Sequence, residues 1–285
     1  MSLEEQLGII ANAGTPLHFE PRVALLGEGG FGHCVKAKYR TRDGNRAVAV
    51  KISKTDNRTE RSAADMLGRE INVLSSISHD HIVEFIDLGL AQDYSGRTFA
   101  YMTLALASHG SLANWLARME KPFSRIKIMY QILKGVNYLH TRKFYHRDLK
   151  PDNILVHRNS RGEYILKITD FGLVTRRELH DEPCGTTLYL DPESYTGTIP
   201  YNVPATDVFA LGVIMVELLD PNYRIPWKDE KGLVAFLQGQ EYLPYAGKQS
   251  ALVKFFRGTF APAYRRKSVA SLKEMVGDMM DLWVL

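Results

Sequence analysis

The run Tyr145-His146-Arg147-Asp148-Leu149-Lys150-Pro151-Asp152-Asn153 crowds cations, carboxylates and an amide between two apolar stretches. So dense a polar series cannot be core. Twenty-two residues beyond Asp148 stands Asp170-Phe171-Gly172, directly after the strand-like Ile165-Leu166-Lys167-Ile168-Thr169. An asparagine and two aspartates converging from neighbouring loops look like oxygen ligands for magnesium and a base for a hydroxyl group. A second constellation pairs Lys51, closing Val48-Ala49-Val50-Lys51, with Glu70. On an alternating strand Lys51 shares a face with Ala49. Glu70 lies three residues after Leu67 and four before Leu74, so it faces inward, and an inward carboxylate needs a cation, for which Lys51 is the candidate. The third is Gly27-Glu28-Gly29-Gly30-Phe31-Gly32, lying between two strand patterns. Glycines there let the backbone approach phosphates and aim N–H groups at them. The segment opens no helix and lacks a GKS or GKT ending, which argues against a dinucleotide fingerprint and a P-loop.

These residues need elements to position them. Strand patterns run over Val23–Gly29, His33–Arg40 and Arg46–Ser53, with a hairpin marked by Asp43-Gly44-Asn45. A helix follows, with Ala63, Leu67, Ile71 and Leu74 on one face. Two further strands, His81–Leu90 and Arg97–Leu106, complete an expected five-stranded sheet with one helix. Beyond His109-Gly110 the chain turns helical, with apolar stripes at Met129, Ile132, Leu133, Val136 and Leu139 and at Val208, Leu211, Ile214, Met215 and Leu218. Between these stripes, Ile154–His157 and Tyr164–Asp170 read as a hairpin joined by the polar loop 158–163. A β-rich first third and an α-rich remainder predict two lobes with a boundary near Ala105–Gly110. Residues 1–18 read as a short extension, weakly structured or used for docking.

Bulk properties narrow the class. The 285 residues carry a formal charge of +4, too mild and too dispersed to make nucleic acid the expected ligand. Cys34 and Cys184 are the two cysteines, without CxxC spacing, which fits a reducing compartment and argues against a disulfide scaffold or a zinc site. Glu4 and Glu5 stand where a secretory signal would be positive. The longest apolar stretch, Val208–Leu219, holds Glu217 and falls short of the roughly 20 residues a bilayer requires. A soluble cytoplasmic or nuclear protein is the expectation.

In order and spacing these segments resemble the eukaryotic protein kinase catalytic domain, from about Phe19 to the C-terminus. Later landmarks extend the likeness. Gly185–Glu193 resembles the segment closing the activation loop, with Asp191 in place of the usual alanine. Asp207–Gly212 resembles the buried helix that anchors the catalytic loop, and Arg266 the late arginine that pairs with Glu193. The resemblance implies an α+β, bilobal fold: a small β-rich N-lobe at about 19–104, a hinge at about 105–109 and a larger, mostly helical C-lobe at about 110–285, behind the extension 1–18.

It also implies an activity, the transfer of the γ-phosphate of Mg-ATP to serine or threonine hydroxyls of protein substrates, with ATP and Mg2+ as cofactors. On that likeness Gly27, Gly29, Gly30 and Gly32 cover the phosphates, and Lys51 holds the α- and β-phosphates, kept in place by Glu70. Asp148 accepts or orients the substrate proton, and Lys150 neutralises charge on the γ-phosphate. Asn153 and Asp170 hold magnesium. The adenine lies against hinge backbone around Ala105–Ala107, with Leu104 guarding the rear pocket and Leu26, Ala49 and Leu155 as apolar walls. Lys150-Pro151 and Thr186, which contacts the catalytic aspartate and lysine, point to serine/threonine specificity. The competing reading is a scaffold or pseudokinase using the same fold; it would show degraded catalytic positions, and none is seen.

Some positions depart from the pattern. Cys34 replaces the usual valine of the adenine ceiling, either as a small hydrophobe or as a thiol open to electrophiles. Glu182 stands three residues before Gly185, where many kinases are phosphorylated, and is expected to act as a built-in anion for Arg147 or as a plain solvated acid. Asp152 hints at basic substrates, and Cys184 reads as an inert thiol. Tyr189–Glu193 resembles plant-receptor-like and tyrosine-kinase-like members.

Overall fold

The computed structural model describes residues 1–29, 32–53, 60–118, 125–195, 200–220, 225, 227–247 and 249–282. Gly30 lies outside them, as does the side chain of Ala63. The chain forms two compact units, one built from Met1–His79, Val83–Gly110 and Asp170–Gly172, the other from Asp80–Ile82, Ser111–Thr169 and Leu173–Leu285.

The first unit holds α1 (Leu3–Asn12), β1 (Leu17–His18), β2 (Leu25–Gly29), β3 (Gly32–Thr41), β4 (Gly44–Ser53), α2 (Glu60–Leu74), β5 (Phe85–Gln92) and β6 (Thr98–Ala105). Its strands form one sheet in the order β1-β3-β4-β6-β5, with β2 also paired to β3. Among the described residues the sheet therefore has six strands rather than five, and the sixth comes from a segment expected to be loose. The physical reason is local. Ser2 and Glu5 form a reciprocal capping box at the start of α1, satisfying helix donors that would otherwise need water. Leu7 and Ile10 then fall on one face and are buried against Val35, Val48, Val50, Ile52, Phe99 and Tyr101. Gln6, also buried, donates its side-chain amide to the Ser53 carbonyl at 2.9 Å, tying α1 to the end of β4.

β3 and β4 pair along their whole length, from Gly32 opposite Ser53 to Thr41 opposite Gly44. A Cβ on Gly32 would lie 2.3 Å from the Ile52 carbonyl oxygen, so the backbone presses on β4 more closely than any side chain permits. The strand expected to begin at His81 begins only at Phe85, because His81 and Ile82 are engaged in the second unit: His81 Nδ1 bonds the Leu166 carbonyl, and Ile82 bridges Ile168.

The second unit holds α3 (Leu112–Arg118), α4 (Arg125–Thr141), β7 (Ile154–Arg158), β8 (Tyr164–Ile168), β9 (Leu179–His180), α5 (Pro192–Tyr195), β10 (Tyr201–Asn202), α6 (Val203–Leu219), α7 (Glu230–Gln238), α8 (Leu243–Ala246), α9 (Ser250–Thr259) and α10 (Val269–Leu282). β7 and β8 form the expected hairpin, and β9 pairs with β10. Asn202 caps α6 by accepting from the Ala205 amide at 3.0 Å. α6 is apolar all round and buried on nearly every side, as a helix at the centre of a helical layer must be. Met129, Ile132, Leu133, Val136 and Leu139 bring α4 into the same core. No helix among the described residues is long and apolar enough to cross a membrane.

Candidate active site

In the first unit, β4 delivers Lys51 and α2 delivers Glu70. Lys51 Nζ donates to Glu70 Oε2 at 2.6 Å and to Asp170 Oδ1 at 2.9 Å. Glu70 is 1% exposed, and its other oxygen accepts the Phe171 amide at 3.3 Å. Burial opposes the charge on Lys51, but Glu70 and Asp170 outweigh it and hold the ammonium group above its ordinary range. Asp170 stands at φ 66°, a left-handed conformation costly for a residue with a Cβ and often found at functional sites.

The glycine segment lies on β2 and β3. Gly27 is opposite Cys34 and Gly29 opposite Gly32, with a register shift between Leu25 and Gly27. Leu26 is 46% exposed. Ala49 and Leu104 are cross-strand partners and buried; Ala105 is buried and Ala107 half-buried. Cys34 lies across from Lys51, and burial pushes its thiol up to about 11, so it is protonated at neutral pH.

In the second unit the polar series forms a loop hung from α6. Asp207, 1% exposed, accepts the amides of His146 and Arg147 at 2.8 Å each and bonds His140 Nε2 at 2.9 Å. Burial alone would raise its carboxyl, yet the hydrogen bond and charge of His140 and the loop amides leave it below the ordinary range. His146 braces the loop from inside: its Nδ1 accepts the Asp148 amide at 3.3 Å, and its Nε2 donates to the Thr169 carbonyl at 3.0 Å. Arg147, directly before Asp148, takes φ 69°, a left-handed conformation costly for a residue with a Cβ.

Four donors converge on the Asp148 carboxylate. The Thr186 amide and hydroxyl reach Oδ1 at 2.8 and 2.7 Å; Lys150 Nζ and Asn153 Nδ2 each reach Oδ2 at 2.9 Å. Lys150 also donates to the Thr186 hydroxyl at 2.5 Å. Gly185 stands at φ +110°, and a Cβ there would meet the Arg147 carbonyl oxygen at 2.3 Å. Leu155 is half-buried on β7, bridged to Ser111. Asp152 is exposed, and burial raises the Cys184 thiol.

The geometry narrows one expectation about charge to its second form, the exposed acid, and extends another. Arg147 meets Glu182 through the peptide carbonyl, at 2.8 Å, and not through its carboxylate; the other acceptor is the Tyr201 hydroxyl, at 2.8 and 3.2 Å from Nη2 and Nε. The chain turns so that the main chain of Glu182 faces the guanidinium. Arg266 pairs with Glu193 at 2.6 Å as expected, but it also meets Asp191, the residue standing where alanine is usual. Asp191 is buried and accepts from the hydroxyls of Ser194 at 2.5 Å and Thr206 at 3.3 Å. Neither Asp191 nor Tyr201 had been given a role. The signal for Asp191 was an acid introduced beside a known arginine partner; Tyr201 carried none.

In the second unit Asn153 spends its amide nitrogen on Asp148, which leaves its carbonyl oxygen as an oxygen donor of the kind a hard cation takes; in the first unit Asp170 has a carboxylate that is 42% exposed.

The profile of the protein kinase domain family matches residues 21–250. Among curated proteins, the chain is 32% identical to an interferon-induced, double-stranded RNA-activated protein kinase of Rattus norvegicus over 68% of its own length and 39% of that protein. It is 31% identical to a serine/threonine-protein kinase H1 homolog of Danio rerio over 77% of its length and 52% of the relative's. It is 33% identical to CBL-interacting protein kinase 24 of Oryza sativa subsp. japonica over 68% and 42%. The chain thus spans about two fifths to half the length of these relatives.

Proposed function

Because the chain belongs to the protein kinase domain family, with an α+β kinase fold, we propose that it transfers the γ-phosphate of Mg-ATP to serine or threonine hydroxyls of other proteins. The observation that carries this reading is the Asp148 carboxylate, met by Thr186, Lys150 and Asn153.

A carboxylate has about four lone-pair sites, and here all are met by donors. An incoming hydroxyl needs one of them. Lys150 is the donor able to leave, since its flexible ammonium group has the γ-phosphate as an alternative partner. When Lys150 moves to that phosphate, Oδ2 of Asp148 receives the substrate O–H. The hydroxyl oxygen then forms a bond to the γ-phosphorus, the bond to the β–γ bridging oxygen breaks, and ADP leaves. Asp148 orients or accepts the proton. Lys51, kept charged by Glu70 and Asp170, neutralises the α- and β-phosphates. Asn153 of the second unit and Asp170 of the first would each offer an oxygen to magnesium, which when bound would screen phosphate charge. Positioning and charge stabilisation are the protein's share of the catalysis.

The serine/threonine preference rests on the Lys150–Thr186 hydrogen bond and on relatives named serine/threonine kinases. Adenine is assigned to backbone of the first unit at Ala105–Ala107, with Leu104, Ala49, Leu26 and Cys34 as its apolar surroundings there. Action in a reducing compartment, cytoplasm or nucleus, suits two thiols that burial keeps protonated.

The test is phosphate transfer from Mg-ATP to a degenerate peptide library, beside Lys51→Met, Asp148→Asn and Asp170→Ala. Transfer to serine and threonine peptides, lost in all three variants, is the expected result. ATP binding without transfer by the unaltered protein would favour the scaffold reading instead.

A further inference from the structure

The loop that carries Asp148 and the segment that carries Thr186 meet directly, through Asp148 and Lys150, both bonded to Thr186. A further joint runs through Arg147, whose guanidinium donates to the Tyr201 hydroxyl and the Glu182 carbonyl. The Tyr201 hydroxyl in turn donates to that carbonyl at 3.2 Å, so the three groups close a triangle. Tyr201 is 3% exposed and sits on β10, paired with His180 of β9 and packed at 6.4 Å from its ring. From Glu182 the chain reaches Gly185, which presses on the Arg147 carbonyl, and then Thr186. The circuit from Asp148 through Arg147, Tyr201, Glu182, Gly185 and Thr186 back to Asp148 is complete. Among the described residues, both acceptors of the Arg147 guanidinium are neutral, a phenol and a peptide carbonyl.

We infer that Tyr201 is a positioning residue for phosphoryl transfer: its hydroxyl holds Arg147, and through Arg147 the geometry of Asp148 and Thr186, without any anion on the segment. This deepens the kinase reading and rests on it. The regulatory consequence is that the segment from Leu179 to Thr186 is ordered in the unphosphorylated protein, so that phosphorylation is not the event that assembles the site. Tyr201 acts at one remove, so its loss lowers turnover and leaves nucleotide affinity alone.

The experiment compares phosphatase-treated wild type, Tyr201→Phe, Arg147→Ala and the double variant. Tyr201→Phe keeps the ring and its packing and removes only the acceptor. Its kcat is expected to fall about tenfold, the scale of one hydrogen bond to a charged group, while KM for ATP stays within about twofold. In the double variant the Tyr201 change costs nothing further, since its partner is already gone. Independently of activity, hydrogen exchange at the amides of 182–187 rises in Tyr201→Phe while the melting temperature holds. Unchanged kcat with unchanged exchange would overturn the inference, as would a wild type that transfers phosphate only after its own segment is phosphorylated. If no preparation transfers phosphate at all, the kinase reading falls, and the exchange measurement alone decides whether Tyr201 holds the segment.

Discussion

Thr186 gives two donors to a single atom of Asp148: its amide and its hydroxyl both meet Oδ1, at 2.8 and 2.7 Å. One residue thereby fixes the direction of the carboxylate and also offers Lys150 a resting place at 2.5 Å. Thr186→Ala keeps the amide and loses the rest. Turnover on serine peptides is expected to drop about ten- to a hundredfold with KM for ATP little changed, and Thr186→Ser to recover most of it. Steady-state kinetics on the three proteins checks this; a Thr186→Ala enzyme at full rate would remove the residue from the mechanism.

Cys34 faces Lys51 across two strands, yet burial and not that cation sets its chemistry, raising the thiol to about 11. At pH 7.5 only a small fraction is thiolate, so alkylation by iodoacetamide is expected to be slow there. The rate climbs about tenfold per pH unit up to pH 10 and levels only near pH 11. Peptide mass spectrometry of labelled protein reads this directly. Labelling that is fast at neutral pH and blocked by ATP would restore the electrophile-sensitive thiol.

Asp191 and Glu193 share Arg266, whose side chain is 2% exposed. Asp191→Ala installs the residue usual at this place but removes an acceptor from Arg266, Ser194 and Thr206 together. A loss of about 2–4 kcal/mol is expected, because the cost lies in partners left buried without an acceptor. Urea unfolding checks it, and Asp191→Asn, which keeps one oxygen, should fall between the two. Stability equal to wild type would mean that the pocket collapses around alanine.

Residues 1–14 contribute Leu7 and Ile10 to the core of the first unit. Leu7→Ala is expected to cost about 2–3 kcal/mol, and deletion of 1–14 more, read as a lower melting temperature. Deletion without effect would make α1 an ornament of the sheet instead of part of its core.

What the sequence disclosed follows from range. The series 145–153 is legible because no core tolerates its charges, and the Lys51–Glu70 pairing because alternation on β4 and the three- and four-residue spacing of α2 each point a side chain inward. The Tyr201 contact was not legible: 54 residues separate it from Arg147, and a single tyrosine between Pro200 and Asn202 belongs to no periodic pattern that would point it at a partner. At Glu182 the exposed-acid reading holds, and the Arg147 contact was illegible for a different reason. The side chain of Glu182 advertised a charge, but the chain uses its carbonyl, and every residue type has one. At the N-terminus Glu4 and Glu5 speak against an export signal, and the Ser2–Glu5 spacing carries a second message, the capping box that starts α1.

Gly185 offers a practical handle on all of this. Its missing side chain is what lets the segment lie 2.3 Å, in Cβ terms, from the Arg147 carbonyl. Gly185→Ala would wedge the catalytic loop apart from its segment without touching a charge, a hydrogen-bonding side chain or the Lys51–Glu70 pair. It is therefore a silent-site reagent: a loss-of-function allele that keeps every reactive group, with which effects of catalysis in a cell can be told from effects of the protein's mere presence.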